Sequence, residues 1–272
     1  MPFDPLVADY HFERVADFFL RRAFDCAQTA LLQTAQAISF LEFVSNLSAD
    51  TEGNSADFPE EDDTGKAIFD DLGIELKWED DPAHIAIPEH LFDFDKSEAR
   101  LILLPKWRYL QAVAYAKVHS SRKLAKRQRI ESIHIIGHVV NLAAFIETLS
   151  NHKLYYLCAS KKMDEKYYES MERVDVLPKI MFLFKSEILS GQLHTGEIKH
   201  LFKMRNHAVH YKGVSDKVLT PSIEQLLNIW REIDLLLEFV RVDLEMEEMR
   251  VPLKDRFSLY VSEIKTEWLD ST

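Results

Sequence analysis

The amino-acid sequence predicts an all-α protein: a helical bundle with an additional N-terminal helical region and a small β-hairpin insertion. Three observations lead there. Only 7 Gly and 9 Pro occur among 272 residues, too few turn-makers for a sandwich or barrel of many short strands. Apolar residues make up 47% of the chain, so a sizeable core can be buried. They recur mainly at the three- and four-residue spacing of a helix face, and the first such run, Phe12 to Leu47, holds neither Gly nor Pro.

That run reads as one long helix or two end to end, with Phe18, Phe19, Ala23, Cys26, Ala30, Leu31, Ala37, Phe40, Leu41 and Val44 forming its apolar stripe. Asp50 to Asp63 (DTEGNSADFPEEDD) has almost no apolar residues with which to offset the entropy of ordering, and reads as an exposed linker or insertion. Ile74 to Trp78 and His84 to Ile87 are short, flanked by Asp-Asp-Pro, and suggest a hairpin. Helical spacing resumes over Ser97 to His119 and Leu124 to Ser150, and again over Asp175 to Ser190, where Pro178 is tolerable only in the first turn. Thr195 can cap a helix reaching about Tyr211, with Gly213 just beyond. Thr220-Pro221 opens a helix toward Arg250, Pro252 stops it, and Leu253 to Leu269 forms a last amphipathic segment.

Several functional classes lack support. No GxGxxG or GxxxxGK[ST] loop occurs, so neither a dinucleotide site nor a P-loop is indicated, and no cofactor is expected. Cys26 and Cys158 cannot build a disulfide framework or a thiolate zinc site, and Met1 to Tyr10 lacks the regions of a signal peptide. The expected compartment is reducing, the cytoplasm. Ile130 to Ile146, the most apolar run, is interrupted by His134, His138 and Asn141 and is too short to span a bilayer, so no membrane association is expected. His134 and His138 read as core or helix-contact histidines.

The net charge of −12 conceals an asymmetry, because residues 1–100 carry 23 Asp and Glu against 7 Lys and Arg. Within the basic remainder, Lys117, Arg122, Lys123, Lys126, Arg127 and Arg129 fall in a stretch with no acid. This cluster is either an electrostatic footprint for the phosphates of RNA or a solvated helix junction. Two phrases also occur twice in the same order. Phe40 to Asn46 (FLEFVSN) is echoed by Phe145 to Asn151 (FIETLSN), and Leu104 to Leu110 (LPKWRYL) by Leu177 to Leu183 (LPKIMFL). A duplicated helical unit with an insertion in its first copy accounts for this, as does coincidence between apolar helices. The organisation expected is residues 1–120 as an N-terminal helical region with the acidic insertion, 121–250 as the bundle, and 251–272 as a C-terminal helix.

Chemistry concentrates at Lys203 to Tyr211. The stripe Ile198, Leu201, Phe202 leads at its next turn to Arg205 and Asn206, so these two are expected on the core-facing side, where a guanidinium needs a carboxylate, a phosphate or a wet cleft. Asn206 and His210 are four apart and share a face, whereas Arg205 and His210 point roughly 140° from each other on an ideal helix. His210 lies near a helix C-terminus, where the macrodipole favours imidazolium and proton transfer near neutral pH. His207 and His210, with His200 nearby, could be imagined around zinc, but no carboxylate completes an HExxH-like pattern. Tyr155, Tyr156, Tyr167 and Tyr168 could stack bases or simply pack.

Arg205-Asn206-His207-Ala208-Val209-His210, preceded by a helix ending in F-[LI]-E-x-x-x-N, resembles the HEPN superfamily of helical-bundle proteins, whose R-x4-6-H motif marks metal-independent endoribonucleases. The resemblance covers roughly residues 125–250; nothing between Leu110 and Lys126 offers a second R-x-x-x-x-H. It implies attack of a ribose 2′-hydroxyl on the adjacent phosphate, with His210 as general acid or base, Arg205 as phosphate clamp and Asn206 orienting either. Glu147 would be a supporting, buried partner of Arg205, with His207 beside the site. It further implies a homodimer in which two motifs face each other, RNA as substrate, and the role of a toxin or phage-defence effector with an antitoxin protein as partner. The alternative is a non-catalytic helical binding or regulatory protein that keeps the motif.

Overall fold

The computed structural model describes residues 5–49, 75–78, 83–87, 100–104, 124–130, 132–210, 220–243 and 252–269. Helices dominate them. In chain order they are α1 (Pro5–Ala49), α2 (His134–Ala159), α3 (Glu165–Glu172), α4 (Val176–Leu183), α5 (Lys185–Leu189), α6 (Gly196–Val209), α7 (Ile223–Asp243) and α8 (Leu253–Trp268). Three strands, β1 (Glu75–Trp78), β2 (Ala83–Ile87) and β3 (Arg100–Leu104), lie between α1 and α2 in sequence. Among the described residues no helix is long and apolar enough to cross a membrane.

The chain forms two compact units, neither of them one continuous segment: residues 1–27 with 136–263, and residues 28–135 with 264–272. In the first, the early part of α1 packs with α2 to α7 and most of α8. Its core draws Leu20, Ala23 and Phe24 from α1, Leu142, Phe145 and Ile146 from α2, Ile198 and Leu201 from α6, Ile229, Trp230 and Ile233 from α7, and Phe257 from α8. Phe24 is a hub, with the rings of Trp230, Phe257, Tyr260 and His138 at 5.3–5.7 Å from its own, and edge-on or offset ring pairs of this kind add to the stability from buried area. Small residues allow α1 and α2 to approach closely. A Cβ added to Gly137 would stand 2.9 Å from Sγ of Cys26.

In the second unit, β1 pairs with β2 and β2 with β3, both antiparallel, with Leu76 opposite Ile85 and Ile85 opposite Ile102. The segment after residue 123 is tied down by Leu124, whose N–H donates to the carbonyl of Trp268 at 2.7 Å, while Leu124 and Leu269 form a parallel bridge. Leu124, Ile130, Ile135, Ile264, Trp268 and Leu269 are buried there.

The helical class and the strand pair predicted near residues 74–87 are present, with corrections. The hairpin gains a third strand, so residues 100–104 are extended where helical spacing suggested a helix. Pairing with β2 selects the extended form, and Pro105 agrees with it at Leu104, since the residue before a proline is disfavoured in the helical region. The helix expected from Leu124 starts at His134, and the one expected over Asp175 to Ser190 breaks at Phe184, whose backbone (φ −119°, ψ 34°) leaves the helix. Pro178 does sit in the first turn of α4. Helix α3 was not foreseen; its signal is Asp164, whose carboxylate accepts the N–H of Lys166 at 2.9 Å. On α1 Ala23, Ala30, Leu31 and Ala37 of the expected stripe are buried, together with Leu20, Phe24 and Ala27, whereas Phe18 is exposed and Phe19 and Cys26 are half-buried. The acidic stretch 50–63 and the reaches 105–119, 211–219 and 244–250 lie outside the described residues.

Candidate active site

Helix α6 carries the motif. Ile198, Leu201, Phe202 and Met204 bury one side of it, and a carboxylate from a neighbouring helix closes its N-terminus. Thr195 occupies the cap position but makes no side-chain cap bond. Instead Glu232 of α7, itself buried, accepts the N–H of Ile198 at 2.7 Å and lies in the field of the backbone N–H groups of Glu197 and Gly196. One of the N–H groups that a helix start leaves unpaired is thereby satisfied from α7. Burial pushes the Glu232 carboxyl pKa up, against the pull of these N–H groups.

At the other end, Asn206 bonds to both Arg205 and His210. Its side-chain Oδ1 accepts from Nη1 of Arg205 at 3.0 Å, and its backbone carbonyl accepts the N–H of His210 at 3.0 Å. His210 is the C-cap, with φ −116° and ψ 46°, so it has already left the helix, and the five-residue spacing of an ideal helix no longer fixes its direction. Asn206 and His210 are exposed, while Arg205 and His207 are half-buried. The expectation that Arg205 and Asn206 face the core is thus corrected. Met204 takes the buried position, one turn after Leu201, which spares a guanidinium the cost of complete desolvation. Among the described residues no carboxylate pairs with Arg205.

Glu147 lies in the field of another cation, Lys179. It is half-buried on α2. Lys179 is 2% exposed, and its ammonium donates to Oδ1 of Asn151 at 2.9 Å and to the carbonyl of Glu172 at 2.7 Å. Burial pushes its pKa down, while Glu147, Glu172 and Asp175 oppose the shift. Sequence reasoning missed Lys179 because a lysine is seldom fully buried. The one available signal was its place in a repeated phrase.

Of the basic cluster, Lys126, Arg127 and Arg129 are exposed on the segment that precedes α2, and Lys117, Arg122 and Lys123 lie outside the described residues. Tyr155 packs edge-on against Tyr168, with Phe12 near it, and Tyr167 packs against Phe182. His138 is fully buried between Ala23 and Trp230. Among the described residues no group of three His, Cys, Asp or Glu could hold a metal ion, and both cysteines are free. Comparison of the chain with protein-family models, curated proteins and solved structures finds no match.

Proposed function

We propose that this protein is an endoribonuclease of HEPN type, and that the end of α6 is its active site. The observation that carries the reading is the bond from the Arg205 guanidinium to Oδ1 of Asn206, beside the C-cap residue His210. Asn206 and His210 are solvent-exposed, so burial does not account for these polar groups.

The chemistry follows from these groups. His210 takes the proton of a ribose 2′-hydroxyl, the 2′-oxygen attacks the adjacent phosphorus, and the bond from phosphorus to the 5′-oxygen breaks. A 2′,3′-cyclic phosphate forms, and the departing 5′-oxygen receives a proton from a second imidazolium, supplied in a homodimer by the other copy of the motif. Arg205 binds the phosphate through its planar fork and stabilises the charge that builds on the equatorial oxygens. Such an activity would act on cellular RNA as a cytoplasmic toxin or defence effector, with an antitoxin protein as its natural restraint.

The test is cleavage of total RNA and tRNA in excess EDTA by wild type, Arg205→Ala and His210→Ala, with product ends identified. Cyclic phosphate and 5′-hydroxyl ends, lost in both variants, are expected. Intact RNA after incubation with folded wild-type protein would replace this reading with that of a non-catalytic helical binding protein.

A further inference from the structure

The side of α6 turned away from the core carries a second pattern. Lys199, Lys203, Asn206 and His210 are all exposed. The spacing of four and three places Lys199, Lys203 and Asn206 in one row along the helix, bordering the buried Ile198 and Phe202, and His210 follows at the C-cap. His200 and His207 flank the row, both half-buried. Glu197 is the only acid of the helix, in its first turn and on the other side from Lys199. Among the described residues neither Lys199 nor Lys203 has an ion-pair partner. Elsewhere in the same unit exposed lysines alternate with acids, as in Glu165, Lys166 and Glu169 of α3. Among the described residues the row is therefore an uncompensated cationic track, about 10 Å from Lys199 to Asn206 at the rise of a helix, that leads to His210.

Resting on the reading of α6 as a ribonuclease site, we infer that single-stranded RNA is held along this row, with Lys199 and Lys203 binding the phosphates next to the one that reaches Arg205 and His210. The two ammonium groups are one helical turn apart, so they can engage neighbouring phosphates of one strand. Point charges on flexible stems hold a backbone without reading its sequence, which makes this a positioning track.

The experiment measures binding of a short labelled single-stranded RNA to full-length protein in the His210→Ala background, where the oligonucleotide stays intact. Lys199→Ala/Lys203→Ala should raise Kd about 10-fold near 0.1 M salt and flatten the dependence of log K on log salt by about 1.4, the change for two phosphate contacts on a single strand. Lys199→Arg/Lys203→Arg should keep both values. Lys166→Ala/Lys185→Ala, the same charge change on α3 and α5, should leave Kd within about twofold of the parent. An unchanged Kd and slope in the Lys199/Lys203 variant overturns the track, as does an equal loss in the Lys166/Lys185 variant, which would mean that net charge alone matters. Either result leaves His210-dependent cleavage standing. Failure of the cleavage assay together with a Lys199/Lys203-dependent Kd would instead remove the nuclease and retain the track. RNA binding absent in the parent overturns the track outright.

Discussion

The ammonium of Lys179 donates to Oδ1 of Asn151 at 2.9 Å, so the second copies of the two repeated phrases meet in space. FIETLSN contributes Asn151 and Glu147 from α2, and LPKIMFL contributes Lys179 from α4. What the repeated Glu and Asn have in common in this copy is a buried lysine. Lys179→Ala should cost about 3 kcal/mol by leaving buried acceptors unpaired, and Lys179→Met, which preserves packing, should cost less. Glu147→Gln should alter urea stability slightly and leave RNA cleavage near wild type, in contrast to Arg205→Ala. A Glu147→Gln variant as inactive as Arg205→Ala would return Glu147 to the active site.

His138 has one tautomer that satisfies both its neighbours. Nδ1–H donates to the carbonyl of Ala23 at 2.7 Å, and Nε2 accepts the indole N–H of Trp230 at 3.1 Å. A second proton has no acceptor, and burial lowers the imidazole pKa to about 4, opposed only weakly by the bond to Ala23. Since the unfolded chain binds this proton at higher pH than the folded one, stability is complete above about pH 6.5 and is lost as pH falls toward 4. The loss from this residue between pH 7 and pH 5 should be about 2 kcal/mol. NMR of the ring should report a neutral Nδ1–H imidazole at pH 5; titration near 6.5 would contradict the arrangement.

Gly137 permits the close approach of α1 and α2. Gly137→Ala gains about 1 kcal/mol of helix propensity, but its methyl meets Cys26 Sγ at 2.9 Å, and overpacking of a tight contact costs about 1–3 kcal/mol. The substitution should destabilise in thermal unfolding. Adding Cys26→Ala removes the obstacle and should recover most of the loss, giving a positive coupling in the double-mutant cycle.

Glu232 fixes the start of the helix that ends in the proposed site. Glu232→Ala strands the backbone N–H of Ile198, and unfolding should become easier by about 1–3 kcal/mol. Glu232→Gln retains an acceptor oxygen and should lose less. Amide exchange locates the effect: protection at Ile198 should fall selectively in Glu232→Ala, and uniform loss across the bundle would argue against a local cap.

The helices were legible where local signals agreed. α1 shows in the sequence because no Gly or Pro interrupts it, and Pro252 marks the start of α8. The third strand was not, because leucine and isoleucine serve a helix or a strand equally well, and only pairing with residues 83–87 selects the extended form. Phe18 was placed inside by hydrophobicity alone, yet it is 54% exposed, since which of several apolar residues faces a core is decided by the neighbouring helices. At the candidate site, the residues could be named from their spacing. The bond from Arg205 to Asn206, the departure of His210 from the helix and the bond from Lys179 to Asn151 depend on local geometry that no spacing encodes.

Neither compact unit is a continuous stretch of chain, and helices α1 and α8 each contribute residues to both. Synthesis from the N-terminus therefore finishes neither unit early. The ribosome must deliver the segment from Leu253 to Leu269 before Phe257 can join the cluster around Phe24 and before Leu124 can find Trp268. A nascent chain stalled before that point holds the whole Arg205-to-His210 motif on a bundle still short of its last helix. Under the proposed function, that order of events delays a mature cutting surface until translation has passed Leu269.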